Sequence, residues 1–180
     1  MQEKNEFNIP TAFVDRTALY KALRSKGVPG ILLQIITALH ENTDARVRVG
    51  PKLSPRISTA SGVRQGWMFA PILFCVATDW VIQHMTFNPG IAVHPSTFTD
   101  LVYADDTALL LPSAMDAAAT ASFKSSGESS SYLGLHTSWP KTKRQNISSG
   151  LKPPVIAMDS NIVESVDSFV YLGSLQSLHK

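Results

Sequence analysis

Apolar and polar residues recur along this chain with two different periods, and the switches between them outline a mixed order of helices and strands. Asp15 suits a helix N-cap, Leu19 and Leu23 share a face over Arg16–Lys26, Gly27 ends that helix, and Pro29 bars its continuation. A second helix is predicted over Gly30–His40, where Ile31, Leu32, Ile35, Ile36 and Leu39 form one apolar stripe. The period then drops to two. Ala45, Val47 and Val49 alternate with Arg46 and Arg48, which predicts a half-buried strand with a basic outer face. Gly50-Pro51-Lys52 turns the chain, and Arg56–Ala60 is expected to return as a second strand.

Pro71 fits the first turn of a third helix reaching about Met85. That helix is apolar almost all round, so it is expected to be central and buried, with Cys75 as a small hydrophobe inside it. Asn88-Pro89-Gly90 breaks it. Two short apolar runs, Leu101-Val102-Tyr103 and Ala108-Leu109-Leu110, then flank Asp105-Asp106 and predict a tight hairpin. A helix follows from about Ala114. Six of the ten residues Ser122–Ser131 are serine and Gly127 interrupts them, so its second half is expected to unfold locally. Lys141–Gly150 is expected as a basic loop, Val155–Val166 as a hairpin turning at Asp159-Ser160-Asn161, and Phe169–Leu172 as a strand. Helices interleaved with antiparallel hairpins predict an α+β fold in one domain, without repeats.

Composition narrows the function classes. The chain has 180 residues, enough for a real core, and 44% of them are hydrophobic. One cysteine excludes an internal disulfide, and no run approaches the roughly 18 apolar residues of a membrane span. With no secretory signal in the polar Met1–Pro10, the expected setting is intracellular, cytoplasmic and/or nuclear. The net charge of +2 is unevenly spread. Nine Lys/Arg face two acids between Arg16 and Arg64, whereas six face nine from Gln65 onward. One half thus suits phosphates and the other suits metal-binding acids, although a solvated surface explains the same counts.

Two adjacent carboxylates on a rigid hairpin can hold hard divalent cations, which take oxygen ligands, although Asp is also an ordinary turn residue. Their company raises the first reading. Gly62-Val63-Arg64-Gln65-Gly66 and Ala70-Pro71-Ile72-Leu73-Phe74 precede the hairpin. Leu133-Gly134-Leu135, Lys141-Thr142-Lys143 and Phe169-Val170-Tyr171-Leu172-Gly173 follow it. In this order and spacing, from about Phe7 to Gly173, they resemble the reverse transcriptase of non-LTR (LINE-like) retrotransposons. The Tyr103-Ala104-Asp105-Asp106 tetrad is similar to that family's catalytic hairpin. No His-Glu-x-x-His, Gly-x-x-x-x-Gly-Lys or Gly-x-Ser-x-Gly competes with this reading.

The resemblance implies a polymerase palm, an antiparallel sheet with its Asp-Asp hairpin packed on helices, joined by part of the fingers. It implies one partial domain over residues 1–180, with the thumb, most of the fingers and the endonuclease outside it. The implied partners are an RNA template, a DNA primer and deoxynucleoside triphosphates, with no membrane, and the implied cofactor is Mg²⁺ or Mn²⁺ on Asp105 and Asp106. The family places a third acid early in the palm, five residues before an aromatic. Here Phe13 matches the aromatic that excludes a ribose 2′-hydroxyl, but Asn8 stands where the aspartate belongs. The usual Asp-Ser before Val14-Asp15-Arg16 is also missing. An amide oxygen ligates a metal but brings no charge, so nucleotidyl transfer is expected to be impaired or absent.

Gly62 and Gly66 would let backbone approach a nucleotide, and Gln65 would hydrogen-bond a base or sugar edge. Arg64 suits a phosphate or a neighbouring acid. Trp67 sits where relatives often have cysteine, and its bulk is expected to distort the loop. Lys141 matches the lysine the family places near the leaving pyrophosphate, although a solvated basic loop explains it equally. Tyr103 belongs to the tetrad, and Tyr171 would lie against the primer backbone, although core packing explains Phe169 and Leu172 equally well. The alternatives to a polymerase are a non-catalytic nucleic-acid-binding remnant and a fragment without function.

Overall fold

The computed structural model describes residues 14–63, 66–112, 116–147, 152–158 and 160–177. It is a mixed α+β chain. Helices α1 (Arg16–Ser25) and α2 (Gly30–His40) come first, then four two-residue strands, β1 (Asp44–Ala45), β2 (Arg48–Val49), β3 (Lys52–Leu53) and β4 (Ile57–Ser58). Helix α3 (Ala70–Gln83) leads to β5 (Ile91–Val93), β6 (Ser96–Phe98), β7 (Asp100–Tyr103) and β8 (Asp106–Leu109). After α4 (Asp116–Tyr132) come β9 (Lys143–Gln145), β10 (Ile156–Met158), β11 (Asn161–Val166), β12 (Ser168–Tyr171) and β13 (Ser174–Ser177).

The contacts divide the chain into two units. One reaches His84 and takes in Val102–Asp106 and Ser130–Leu135; the other holds Met85–Leu101, Thr107–Ser129 and the chain from His136. In the first unit α1 packs against α2 and α3. Its core joins Val14, Leu19 and Leu23 to Leu33, Val63, Leu73, Phe74, Ala77 and Leu133. Asp15 caps α1 as its sequence suggests, its carboxylate accepting from the Ala18 N–H at 2.7 Å. Helix α2 has the predicted bounds, but its stripe does not form core. Leu33 is buried, whereas Ile31, Leu32, Ile35 and Leu39 are exposed.

Three more expectations of burial are corrected. Strands β1 and β2 are exposed throughout rather than half-buried, because β4 and β3 pair with them edge to edge as ribbons and supply no second layer. Helix α3 buries only the face of Leu73, Phe74, Ala77 and Val81, while Ile72 points outward. Cys75 lies on the open side and is exposed.

The second unit has a smaller core of Ala119, Ile156, Met158 and Val163, with Leu111, Phe123 and Trp139 against it. Strands β10 and β11 form the predicted hairpin, with Ile156 opposite Val163. The stretch expected as a basic loop contributes β9, which runs parallel to β11 with Arg144 opposite Ser165. Arg144 is buried there, so this segment is held by pairing rather than solvated. Helix α4 continues without interruption through Gly127 and all six serines. Gly90 opens the β5–β6 ribbon with φ +67°, and a Cβ there would stand 2.6 Å from the Phe98 carbonyl, so only glycine fits.

Candidate active site

Strands β7 and β8 form a two-stranded sheet, extended at its base by the Leu110 N–H donating to the Thr99 carbonyl at 2.8 Å. Only Ala104 and Asp105 separate the strands. A connection this short needs positive φ at its first central residue, and Ala104 adopts φ +52° despite its Cβ. That conformation costs about 1 kcal/mol in an L-residue. It sets Asp105, half-buried, in the turn and Asp106, exposed, as the first residue of β8. Tyr103 is 64% exposed beside them. The adjacent pair therefore occupies one hairpin tip, where both carboxylates are presented without a long flexible loop.

Around Gly62 the structure shows a residue whose role the sequence did not disclose. The Arg16 guanidinium donates from Nε to the Gly62 carbonyl at 2.9 Å. Its Nη1 donates to the carbonyls of His40 and Thr59, each at 2.9 Å, and to Thr43 Oγ1 at 3.0 Å. Gly62 also donates its own N–H to the buried Val14 carbonyl at 2.8 Å. The start of the Gly62–Gly66 loop is thus fixed at both its amide and its carbonyl. In the sequence Arg16 is one cation among the nine of the basic stretch. Its spread of backbone acceptors is tertiary, and its only local sign is the adjoining cap Asp15.

Gly62 and Gly66 have φ +78° and +80°. Trp67 is accommodated against the core, edge-on to His40 with ring centroids 5.2 Å apart and to Phe69 at 5.3 Å. Tyr171 and Lys141 belong to the second unit. The Tyr171 hydroxyl donates to the Leu101 carbonyl at 3.2 Å, tying β12 to the strand that leads to the aspartates. Lys141 is exposed in a turn where its N–H donates to the Ser138 carbonyl at 3.0 Å. Asn8, Phe13, Arg64 and Gln65 lie outside the described residues.

Among the described residues no three His, Cys, Asp or Glu side chains gather as a metal site. Asp105 and Asp106 still fit a hard cation of the Mg²⁺ kind, which keeps several waters and is commonly held by one or two carboxylates plus substrate phosphates.

The family model described as reverse transcriptase (RNA-dependent DNA polymerase) matches residues 3–174, and the chain belongs to that family. Two curated relatives are each called retrovirus-related Pol polyprotein from type-1 retrotransposable element R2. The chain is 32% identical over 97 residues to that of Nasonia vitripennis, a match covering 54% of this chain and 10% of the relative. It is 26% identical over 99 residues to that of Popillia japonica, covering 54% and 16%. The chain is a reverse transcriptase domain of the non-LTR retrotransposon kind, and the matched stretch spans at most 16% of these relatives. No described helix is long and apolar enough to cross a membrane.

Proposed function

We propose that this chain is the palm region of an RNA-directed DNA polymerase whose nucleotidyl-transfer centre is weakened at Asn8. The observation that carries this reading is the pairing of Asp105 and Asp106 at the tip of the β7–β8 hairpin, within a chain of this family. Both carboxylates would hold the divalent cations, Mg²⁺ or Mn²⁺, with Asn8 offering only a neutral amide oxygen. Bound there, such ions neutralise charge that builds on phosphate oxygens and orient the in-line attack of a primer 3′-hydroxyl on a deoxynucleoside triphosphate.

The remaining residues orient and exclude. Phe13 would close the sugar pocket against a 2′-hydroxyl. Gly62 and Gly66 let backbone approach the incoming nucleotide, with Arg64 and Gln65 supplying donors and Tyr103 flanking the carboxylates. Lys141 would stabilise the departing pyrophosphate, and Tyr171 would brace the primer strand through its bond to β7. The setting that fits is intracellular, where an RNA template is available.

Primer extension on an RNA template with Mg²⁺, comparing the chain with its Asn8→Asp variant, tests this reading. Extension only by the variant is expected. Extension by the unmodified chain would show that Asn8 is no impairment. Silence from both would remove the polymerase reading for this chain.

A further inference from the structure

The two flanks of the Gly62–Gly66 loop converge on one pair of residues. On the entering side, the Arg16 guanidinium donates to the carbonyls of both Thr59 and Gly62, so the chain is held twice as it leaves β4. The same guanidinium donates to the His40 carbonyl and to Thr43 Oγ1. Thr43 and Thr59 are themselves joined, the Thr59 N–H donating to the Thr43 carbonyl at 3.0 Å and the Thr59 hydroxyl to Thr43 Oγ1 at 2.9 Å. On the leaving side, Trp67 packs on the core with its ring edge-on to the His40 ring. Its carbonyl accepts the Ala70 N–H at 3.0 Å, where α3 begins. His40 is 2% exposed, and its Nδ1 donates to the Ile36 carbonyl at 2.8 Å, which fixes the ring against α2. The main chain of His40 thus takes Arg16 while its side chain meets Trp67, and one residue joins both flanks.

Arg16 makes no ion pair with a carboxylate among the described residues; its acceptors there are three carbonyls and a hydroxyl. Bonds from a charged donor are short, and the planar guanidinium fork fixes the directions in which its acceptors stand. A loop bounded by Gly62 and Gly66, with φ +78° and +80°, has much backbone freedom to lose. Holding its flanks beforehand removes part of that ordering cost from ligand binding.

We propose that Arg16 and His40 are positioning residues for the incoming deoxynucleoside triphosphate. They set the separation of Gly62 and Gly66, and they touch neither base nor phosphate. The assignment rests on the polymerase reading above, which gives this loop its nucleotide. The test is hydrogen–deuterium exchange of the full chain with Mg²⁺ and increasing dTTP, without primer, read on peptides covering residues 60–70. The dTTP concentration that half-protects these peptides gives an apparent affinity. Wild type is compared with Arg16→Gln, Arg16→Lys and His40→Leu. Leu33→Ala is the control, since it removes core from the same unit without touching the loop. Urea melts give the stability of each protein.

Arg16→Gln is expected to weaken dTTP about tenfold, and Arg16→Lys and His40→Leu about threefold each. Leu33→Ala should lose stability and keep the wild-type affinity. Equal loss of affinity in Leu33→Ala and the Arg16 variants would mean that Arg16 merely supports the fold, and would overturn the proposal. Wild-type affinity in Arg16→Gln would overturn it too, while leaving the loop as the nucleotide site. Should Arg16→Gln not fold, Arg16→Lys and His40→Leu decide by the same criterion. Absence of protection in wild type would overturn the nucleotide reading of the loop and this proposal with it.

Discussion

Helices α2 and α4 invert the usual relation between composition and burial. Helix α2 is nearly all apolar, yet Ile31 is 65% exposed and only Leu33 and His40 are buried. Helix α4 is rich in serine, yet Ser122 and Ser125 are 1% and 3% exposed. The difference lies in what each helix meets. Small side chains let the backbone of α4 come close to its neighbours. The Ser125 hydroxyl accepts the Thr86 N–H at 2.6 Å and the Phe87 N–H at 3.3 Å, and the Trp139 ring lies 3.6 Å from where a Cβ on Gly127 would be. Helix α2 lays one edge on α1 and offers the rest of its stripe to nothing described. Periodicity reports which face of a helix is apolar; whether anything covers that face is settled elsewhere in the fold.

The largest expected effect separates two residues of α2 that the sequence ranks in the opposite order, with Ile35 on the apolar stripe and Leu33 off it. Leu33→Ala should cost about 3 kcal/mol in urea unfolding, because Leu33 is 5% exposed and its loss leaves a cavity in the first unit. Ile35→Ala, on the open stripe, should stay within about 0.5 kcal/mol. Equal losses at the two sites would mean that the stripe is covered after all, and the contrast with α4 would collapse.

Next come two serines of α4, expected to differ in sign. Ser125→Ala should cost about 2 kcal/mol, since two backbone donors just beyond α3 would lose their acceptor. Ser122→Ala should stabilise by about 1 kcal/mol, because its buried hydroxyl finds no hydrogen-bond partner among the described residues. Denaturation midpoints at unchanged slope measure both. Destabilisation by both substitutions would show that buried serine serves α4 in one common way.

Much of the element order was legible because it depends on local chemistry. The cap at Asp15, the bounds of α2, the proline start of α3 and the turn between β10 and β11 all follow from residues within a few positions of each other. The strands on either side of Asp105 and Asp106 were equally readable, since two apolar runs flank the four residues Ala104–Thr107, of which the structure leaves two as the connection. Long-range partners were not. Arg16 reads as a surface cation until the carbonyls of His40, Thr59 and Gly62 converge on it from positions 24 to 46 residues away. Strand β9 reads as a basic loop until β11 supplies its parallel neighbour. The serines of α4 read as weak helix formers because propensity carries no term for close packing against Trp139 or for a loop that needs an acceptor. For the candidate site, the sequence singles out the two carboxylates as an expectation, and the structure adds the positive φ at Ala104 and the double anchoring of Gly62.

The smallest effect probes the one edge of α2 that is packed. Tyr20 of α1 lines a groove of about 580 Å³ with Leu33, Gln34 and Thr37 of α2, its ring 6.1 Å from that of His40. Burial pushes its hydroxyl above the usual value of 10; the neighbouring Arg16 cation opposes this shift and Glu41 adds to it. In the folded chain Tyr20 therefore keeps its proton at a pH where the unfolded chain has begun to release it. Between the two values the unfolded state binds fewer protons, so stability falls as pH rises. The contribution is fully present below pH 10 and is lost as pH climbs through the folded value. Tyr20→Phe should flatten that alkaline decline while leaving the neutral midpoint nearly unchanged, as read from urea midpoints taken between pH 8 and about pH 11. The same decline in both proteins would mean that Tyr20 titrates as a free phenol. The α1–α2 edge would then be as open as the stripe beyond it, and α2 would have no buried side to set against α4.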